Sequence, residues 1–258
     1  MNVLWVFAHP EKESLGGSLF DDGVRFLGET GHDCQVSDLY AMKWKATVDR
    51  EDFTEEPDGR LMVAHASGRA YESGTLSADI RAEQEKLEWA DTVVFQFPLW
   101  WYGMPAILKG WFDRVFVKGF GYLVPDPEVE GRFLRYGEGK LQGKRALVLI
   151  TSGSSEESLG PRGINGELDQ ILFALLHGTL FYAGMEVLPP LVVYRADWCT
   201  PQQYDETMAR LRDQLTRIDE MDPLPYRLES GGDYDHLDGA LRPEVASGRS
   251  GLTVHYLD

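Results

Sequence analysis

The chain contains little cysteine, little positive charge and no long uncharged apolar run. Only Cys34 and Cys199 occur among 258 residues, and neither belongs to a CxxC or metal-type spacing. The sequence therefore provides no disulfide framework and suits a reducing compartment. Residues 1–5 lack the basic flank of a signal peptide, and no stretch approaches the ~18 apolar residues of a membrane span. A cytoplasmic protein without stable membrane insertion is predicted.

Basic residues are outnumbered, with 25 Lys and Arg against 42 Asp and Glu and a formal net charge of −17. This excess repels polyanions, so neither nucleic acid nor an anionic membrane surface is an expected partner. The six histidines show no ligand spacing such as HxxxH, and no metal site is expected.

Short β-rich runs alternate with helical patterns over the first two-thirds of the chain, which is typical of a parallel sheet covered by helices on both faces. Most of the five candidate strands are nearly continuous apolar runs, as strands buried on both sides require. They lie at 3–8, 33–37, 92–97, 146–151 and 187–193. The sequence predicts an α/β fold with a doubly wound, parallel, five-stranded sheet.

The helices are marked by apolar spacing and by their ends. Patterns at 76–89 and 167–183 predict helices, the second ending at Gly184 as a C-cap. Pro105 suits a first helical position. Residues 200–203, Thr-Pro-Gln-Gln, match a capping box that opens a further helix.

Two segments lie outside this pattern. Residues 41–75 form a long insertion between the second and third strands. From Asp222 onward, Pro, Gly and charged residues dominate, so we expect a catalytic domain at 1–221 and a loop-rich extension at 222–258, packed on the core or on a partner subunit. The candidate anchors of this extension are Leu237, Leu241, Leu252, Val254 and Tyr256.

Three of the predicted strands end in unusual loops, and in an open α/β sheet ligands bind beyond the carboxyl ends of the strands. The first loop places His9, Ser14, Gly16 and Ser18 just before a helix, which favours a phosphate cradle. It is neither GxGxxG nor a P-loop. An ordinary capped turn with a structural histidine is the alternative.

The second and third loops favour a flat ligand. Trp100, Trp101 and Tyr102 follow a buried strand and precede a glycine, a position where a planar heterocycle explains exposed rings better than packing does. Residues 151–154, Thr-Ser-Gly-Ser, offer donors to the polar edge of an isoalloxazine ring. The alternatives are an aromatic cluster that supports a loop or interface, and a plain Ser/Gly-rich turn.

Residues 37–42, 76–84 and especially 95–112, FQFPLWWYGMPAILKGWF, resemble the FAD-dependent NAD(P)H:quinone reductase (DT-diaphorase) family. The resemblance covers nearly the whole chain. It implies a flavodoxin-like fold, tightly bound FAD, a homodimer, and ping-pong two-electron reduction of a quinone or similar planar acceptor by NADH or NADPH.

The resemblance also implies roles for individual residues. Along the FAD phosphates and adenosine side, or around the isoalloxazine, it places His9, Ser14, Leu15, Gly16, Ser18, Pro98, Leu99, Trp100, Trp101, Tyr102, Thr151, Ser152, Gly153, Ser154 and Leu159. The acceptor pocket would include Tyr122, Val124 and Tyr182, completed across the dimer interface. Catalytic roles fall to Trp101, Tyr102 and Asn165.

Some positions depart from the family. Its animal-type members relay charge through a tyrosine and a histidine, where this chain has Leu159 and Asn165; a second pocket tyrosine is Val124, and an asparagine of the first loop is Gly16. Asn165 can form hydrogen bonds but does not exchange a proton near neutral pH. These changes leave two alternatives open: an FMN-dependent azo or nitro reductase of the same fold, and a flavin-binding regulatory subunit with weak catalysis.

Overall fold

A computed structural model describes residues 1–54, 59–236 and 238–257 of the chain. Its principal elements, in chain order, are β1 (Asn2–Phe7), α1 (Leu15–Glu29), β2 (Asp33–Asp38), α2 (Val63–Ser73), α3 (Ala78–Trp89), β3 (Thr92–Pro98), α4 (Ala106–Val115), β4 (Val124–Pro125), β5 (Phe133–Leu134), β6 (Arg145–Thr151), α5 (Leu168–Leu175), β7 (Glu186–Val187), β8 (Leu191–Val193) and α6 (Pro201–Thr216).

The apolar runs form a parallel sheet in the order β2-β1-β3-β6-β7, and β8 pairs with β6 as well. Side chains alternate across the sheet. Val3, Trp5 and Phe7 pack in a layer with α1 and α6, whereas Leu4 and Val6 pack in a layer with α3, α4 and α5. The prediction of a doubly wound sheet is confirmed.

The predicted fifth strand is not continuous. Residues 187–193 form two short strands, β7 and β8, with Pro189 and Pro190 between them. Proline has no backbone N–H to donate to a sheet, so the ladder is interrupted there while both pieces remain beside β6.

The helix ends agree with the sequence to within a residue or two. Pro105 is the N-cap of α4 rather than its first helical residue. The helix predicted at 167–183 is α5 followed by a π-helical turn, Leu176–Phe181, and Gly184 follows with a φ of +102°. The capping box of α6 is present, with Thr200 Oγ1 accepting a hydrogen bond from the Gln203 backbone N–H.

The 41–75 insertion is fixed by a buried ionic network, and it contains α2, which the sequence did not predict. Arg114 of α4 contacts Asp52 at 2.8 Å and Asp79 at 2.7 Å, and its guanidinium lies over the ring of Trp44. Burial opposes the charge, but the hydrogen bonds that the guanidinium donates to both carboxylates outweigh it and raise the pKa of Arg114.

The segment from 222 onward packs on the core, although the domain boundary itself stays a prediction. Tyr226 is buried against His177 and Phe181, with ring centroids 4.9 and 5.1 Å apart. Among the expected anchors, Val254 is buried, but Leu252 is exposed, which makes its expected role wrong. Leu237 lies outside the described residues. None of the helices in the described ranges is long and apolar enough to cross a membrane.

Candidate active site

The three loops singled out in the sequence meet at one edge, because β1, β3 and β6 are neighbours in the sheet. Backbone hydrogen bonds continue past the strand ends: Ala8 N–H donates to Gln96 O and Leu99 N–H donates to Thr151 O, at 2.9 and 2.8 Å. The structure therefore brings together residues from positions 9, 99 and 152, as predicted.

The first loop is tied to the sheet by a buried glutamine that the sequence analysis missed. Gln96 is 1% exposed; its Nε2 donates to Gly16 O at 2.7 Å and its Oε1 accepts from Trp5 Nε1 at 2.9 Å. An amide within an otherwise apolar strand was the available signal. Burial of such a group requires partners on both of its atoms, and this fixes the start of α1.

The start of α1 has the features of an anion site. Ser14 is the N-cap and its Oγ accepts from Gly17 N–H at 3.0 Å. A Cβ at Gly17 would lie 2.0 Å from Lys12 O, so only glycine allows this close approach. The first turn contains no acidic residue, leaving the positive end of the helix dipole without a counter-charge there.

The remaining residues of the first loop surround this helix start. His9 Nδ1 accepts from Glu11 N–H at 3.0 Å and lies 3.1 Å from Ser14 Oγ, and its ring is 6.2 Å from that of Trp100. Leu15 is half-buried, and Ser18 is exposed. His9 thus links the first loop to the second.

The second loop is a tight turn with two residues in left-handed backbone conformation. Trp100 and Gly103 exchange both backbone hydrogen bonds at 3.0 Å, and between them Trp101 and Tyr102 have φ values of +49° and +60°. This is a type I′ arrangement, which normally selects Gly, Asn or Asp. Trp101 is 96% exposed and Tyr102 is 52% exposed, so packing within the chain explains neither ring.

The third loop presents a backbone edge. Thr151 and Ser152 are buried, and Ser152 Oγ accepts from Ser154 N–H at 3.2 Å. A Cβ on Gly153 would lie 2.8 Å from Asp197 Oδ2. Gly153 itself is exposed, and its N–H takes part in none of the hydrogen bonds found among residues 1–54, 59–236 and 238–257. A donor is therefore available beside the aromatic turn.

Asn165 joins the second and third loops. Its Oδ1 accepts from Tyr102 Oη at 3.0 Å, and its Nδ2 donates to Ser158 Oγ at 3.3 Å and to Ser154 Oγ at 3.5 Å. Leu159, predicted beside the flavin, is only 3% exposed and lies in the apolar core.

The rim beside the third loop carries a carboxylate. Glu157 accepts hydrogen bonds from the backbone and from the Ser155 hydroxyl, and these hold the pKa of that carboxyl below its usual range. Arg195 lies 3.9 Å from the same carboxylate, and its backbone N–H donates to Ser154 O at 3.0 Å.

Tyr122 and Tyr182 lie in a different place from these loops. Both line a groove of about 480 Å³ whose other lining residues come mainly from α4 and the α5 region, and include Met104, next to the second loop in the sequence. Tyr182 also borders a second cavity of about 640 Å³. Val124 lies in the β4–β5 hairpin and lines neither cavity.

The donor chemistry of this edge suits a flat ligand with a phosphate tail. Two exposed rings, an available glycine N–H and an uncompensated helix N-terminus lie within loops that contact one another. No cluster of three or more potential metal ligands occurs in the described part of the chain. The fold is that of an α/β protein of the flavodoxin type, and these loops form a candidate site at the carboxyl edge of the sheet.

Comparison with known proteins agrees with this architecture. The family model for the flavodoxin-like fold matches residues 1–218. A crystal structure of a protein assigned as a quinone reductase from Klebsiella pneumoniae superposes with a TM-score of 0.96, at 50% identity and with full coverage of both chains.

Two relatives come from fungi and mammals. The ribosyldihydronicotinamide dehydrogenase-like protein traD of Penicillium crustosum is 48% identical over 91% of this chain and 87% of that protein. NAD(P)H dehydrogenase [quinone] 1 of Cavia porcellus is 36% identical over 99% of this chain and 93% of that protein. The chain belongs to the flavodoxin-like NAD(P)H dehydrogenase (quinone) family of oxidoreductases, which confirms the resemblance seen in the sequence.

Proposed function

We propose that this protein is an FAD-dependent NAD(P)H:quinone oxidoreductase that reduces a quinone or similar planar acceptor by two electrons. The observation that carries the proposal is the exposed Trp101–Tyr102 turn, held in left-handed backbone conformation beside the Ser/Gly loop. These rings do not pack within the chain, and the left-handed backbone conformation that presents them costs free energy. A flat ligand that stacks on the rings explains both features.

The three loops would hold different parts of the cofactor. The start of α1, with His9, Ser14, Gly16 and Ser18, would bind the phosphates by N–H and hydroxyl donation, and Leu15 would face the adenosine. The isoalloxazine would be contacted by residues 98–102, by 151–154 and by the edge of Leu159. The flavin, when bound, supplies the hydride chemistry, and the protein orients the substrates and excludes water.

The acceptor pocket would be completed by a second subunit. Tyr122 and Tyr182 line the α4–α5 groove and lie in a different place from the three loops of the same chain. A homodimer that sets this groove and Val124 of one subunit over the loops of the other would bring all predicted site residues together. Donor and acceptor would then use one pocket in turn, which is a ping-pong sequence.

The cofactor decides between this proposal and its nearest alternative. Chain length and the segment from 222 onward favour FAD over FMN, and an azo or nitro reductase of the same fold would carry FMN. Mass measurement of the cofactor released by denaturation separates the two. We expect FAD, and a colourless folded protein that binds neither flavin would contradict both.

Turnover separates the enzyme from a flavin-binding regulatory subunit. Leu159 and Asn165 are the features that favour the regulatory alternative, since neither exchanges protons near neutral pH. Flavin-loaded protein mixed with NADH or NADPH and a benzoquinone should oxidise the nicotinamide. Double-reciprocal plots of the rate at several benzoquinone concentrations should give parallel lines. Negligible turnover by a fully loaded sample would support the regulatory subunit instead.

A further inference from the structure

We propose that the phenol of Tyr102 is the proton donor to the acceptor oxygen, and that Asn165 is the positioning residue that holds it. The inference rests on the proposed quinone reductase function and adds a chemical role for these two side chains. It follows from the Tyr102–Asn165 hydrogen bond, which joins the aromatic turn to the Ser/Gly loop.

A proton must be supplied because of the stoichiometry. Two-electron reduction of a quinone adds a hydride equivalent, which gives the hydroquinone monoanion, and one proton, which gives the neutral hydroquinone. In the proposed reaction the dihydronicotinamide provides the hydride by way of the cofactor. The O–H of Tyr102 would turn from Asn165 Oδ1 to the acceptor oxygen, the phenol O–H bond would break as an O–H bond forms on the reduced acceptor, and water would return a proton to the phenolate through the exposed half of the side chain.

Tyr102 is the group at this edge that meets both requirements of a proton donor. Its Oη is fixed by Asn165 at 3.0 Å, while 52% of the residue is open to an incoming molecule. Leu159, in the adjoining segment, has no exchangeable proton.

Asn165 suits the two states of the phenol. Its amide oxygen accepts from the neutral phenol, as observed, and its NH₂ group is able to donate to a phenolate after the amide rotates. The hydroxyls of Ser154 and Ser158 lie 3.5 and 3.3 Å from Nδ2. Because a hydroxyl both donates and accepts, these serines satisfy either amide orientation.

The turn geometry adds rigidity to this arrangement. Tyr102 has a φ of +60° within a turn closed by two backbone hydrogen bonds, and Asn165 N–H donates to Ser158 O at 3.1 Å. Both partners are therefore fixed by their backbones as well as by the side-chain contact, as a positioned acid requires.

The kinetic test compares two acceptors in the same enzyme. A benzoquinone requires a proton on oxygen, whereas ferricyanide takes electrons without one. For Tyr102→Phe and Asn165→Leu we expect reoxidation by benzoquinone to slow about 10- to 100-fold more than either reoxidation by ferricyanide or anaerobic reduction by NADPH. The wild-type solvent deuterium isotope effect on the quinone step should disappear in Tyr102→Phe. Tyr40→Phe, which removes a phenol oxygen elsewhere, should behave as wild type.

Asn165→Asp tests whether Asn165 acts by holding the phenol of Tyr102 in place. Its carboxylate still accepts from the phenol but cannot donate to a phenolate, so it should retain the slow quinone step of Asn165→Leu. Equal benzoquinone rates in Tyr102→Phe and wild type, or an equal loss with both acceptors, would overturn the inference. Failure of the wild type to bind flavin or to oxidise NAD(P)H would instead overturn the proposed function.

A measurement without turnover checks the contact itself. In flavin-free protein labelled with ¹⁵N, the side-chain amide resonances of Asn165 should shift on Tyr102→Phe and stay in place on Tyr40→Phe. Resonances that do not respond to Tyr102→Phe would contradict the hydrogen bond on which the inference depends.

Discussion

The aromatic turn at residues 100–103 and the ionic network around Arg114 use their unusual residues in opposite ways. In the network, Arg114 and Asp52 are 2% and 1% exposed, and each charge has a partner within the chain. In the turn, Trp101 is 96% exposed and has no packing role, on a backbone that disfavours tryptophan. The first region stabilises the fold, whereas the second is arranged for something outside the chain.

This contrast shows which irregularities indicate function. Buried charges are chemically conspicuous, but here they satisfy one another and connect the 41–75 insertion to α4. Exposed rings and positive φ values have no such internal explanation. We expect the two regions to respond independently to substitution, with Arg114 affecting stability and Trp101 affecting ligand binding.

The largest effect is expected for Arg114→Met. The substitution removes the guanidinium from buried Asp52, which keeps only Lys45 Nζ at 3.1 Å as a cationic partner, and this costs about 3 kcal/mol of unfolding free energy. Urea denaturation measures this loss. The control is Arg25→Met, which breaks a partly exposed pair with Asp22 and should cost under ~1 kcal/mol. Similar losses in both variants would contradict a structural role specific to the network.

A smaller, purely functional effect is expected for Trp101→Ala. Loss of one stacking wall should raise the dissociation constant for flavin about 10-fold, corresponding to ~1–1.5 kcal/mol. The flavin-free protein should keep its stability to within ~0.5 kcal/mol, because Trp101 is exposed. Fluorescence titration of apoprotein measures the affinity, with the exposed Trp198→Ala as the control. Unchanged affinity in Trp101→Ala would remove the main support for the ring site.

A gain of stability is expected for Trp101→Gly in the absence of flavin. Glycine adopts the left-handed conformation without steric cost, so the unfolding free energy should rise by up to ~1 kcal/mol while flavin affinity falls. Thermal denaturation of the apoprotein checks this. A loss of stability would mean that the indole packs within the chain after all.

The smallest effect at neutral pH is expected for His177→Phe, which preserves a ring at the core–extension contact. Burial, with the nearby His255 adding to it, lowers the pKa of His177 to about 4, so the ring is neutral in the folded protein at pH 7. Its ordinary pKa is higher, so stability is complete above pH 6.5 and falls as the pH drops toward 4.

The measurement for His177 is the dependence of unfolding free energy on pH. His177→Phe should flatten the slope between pH 6.5 and 4. If the slope persists in His177→Phe, the buried histidine is not the group that titrates.

Local sequence signals predicted most of the fold. Continuous apolar runs located β1, β3 and β6, and Thr200 with Gln203 marked the start of α6. The break between β7 and β8 has a local signal, Pro189-Pro190, although the segment was predicted as one strand. Helix α2 contains few large apolar side chains and begins without a side-chain cap, so its formation depends on tertiary contacts.

The site was predicted in outline but not in its connections. The loops could be located because strand ends and unusual residue types are local features. The hydrogen bond between Tyr102 and Asn165 joins residues 63 positions apart, and no local pattern encodes such a pairing. Gln96 was missed for the same reason, because its hydrogen bond to Gly16 O in α1 also joins residues that are far apart in the sequence.

Titration of flavin-free protein with FAD, followed by absorbance, measures whether the three loops hold a flavin. We expect saturation at one FAD per chain, with flavin bands that bleach on anaerobic addition of NADPH. Folded apoprotein that leaves FAD unbound at concentrations well above micromolar would contradict it.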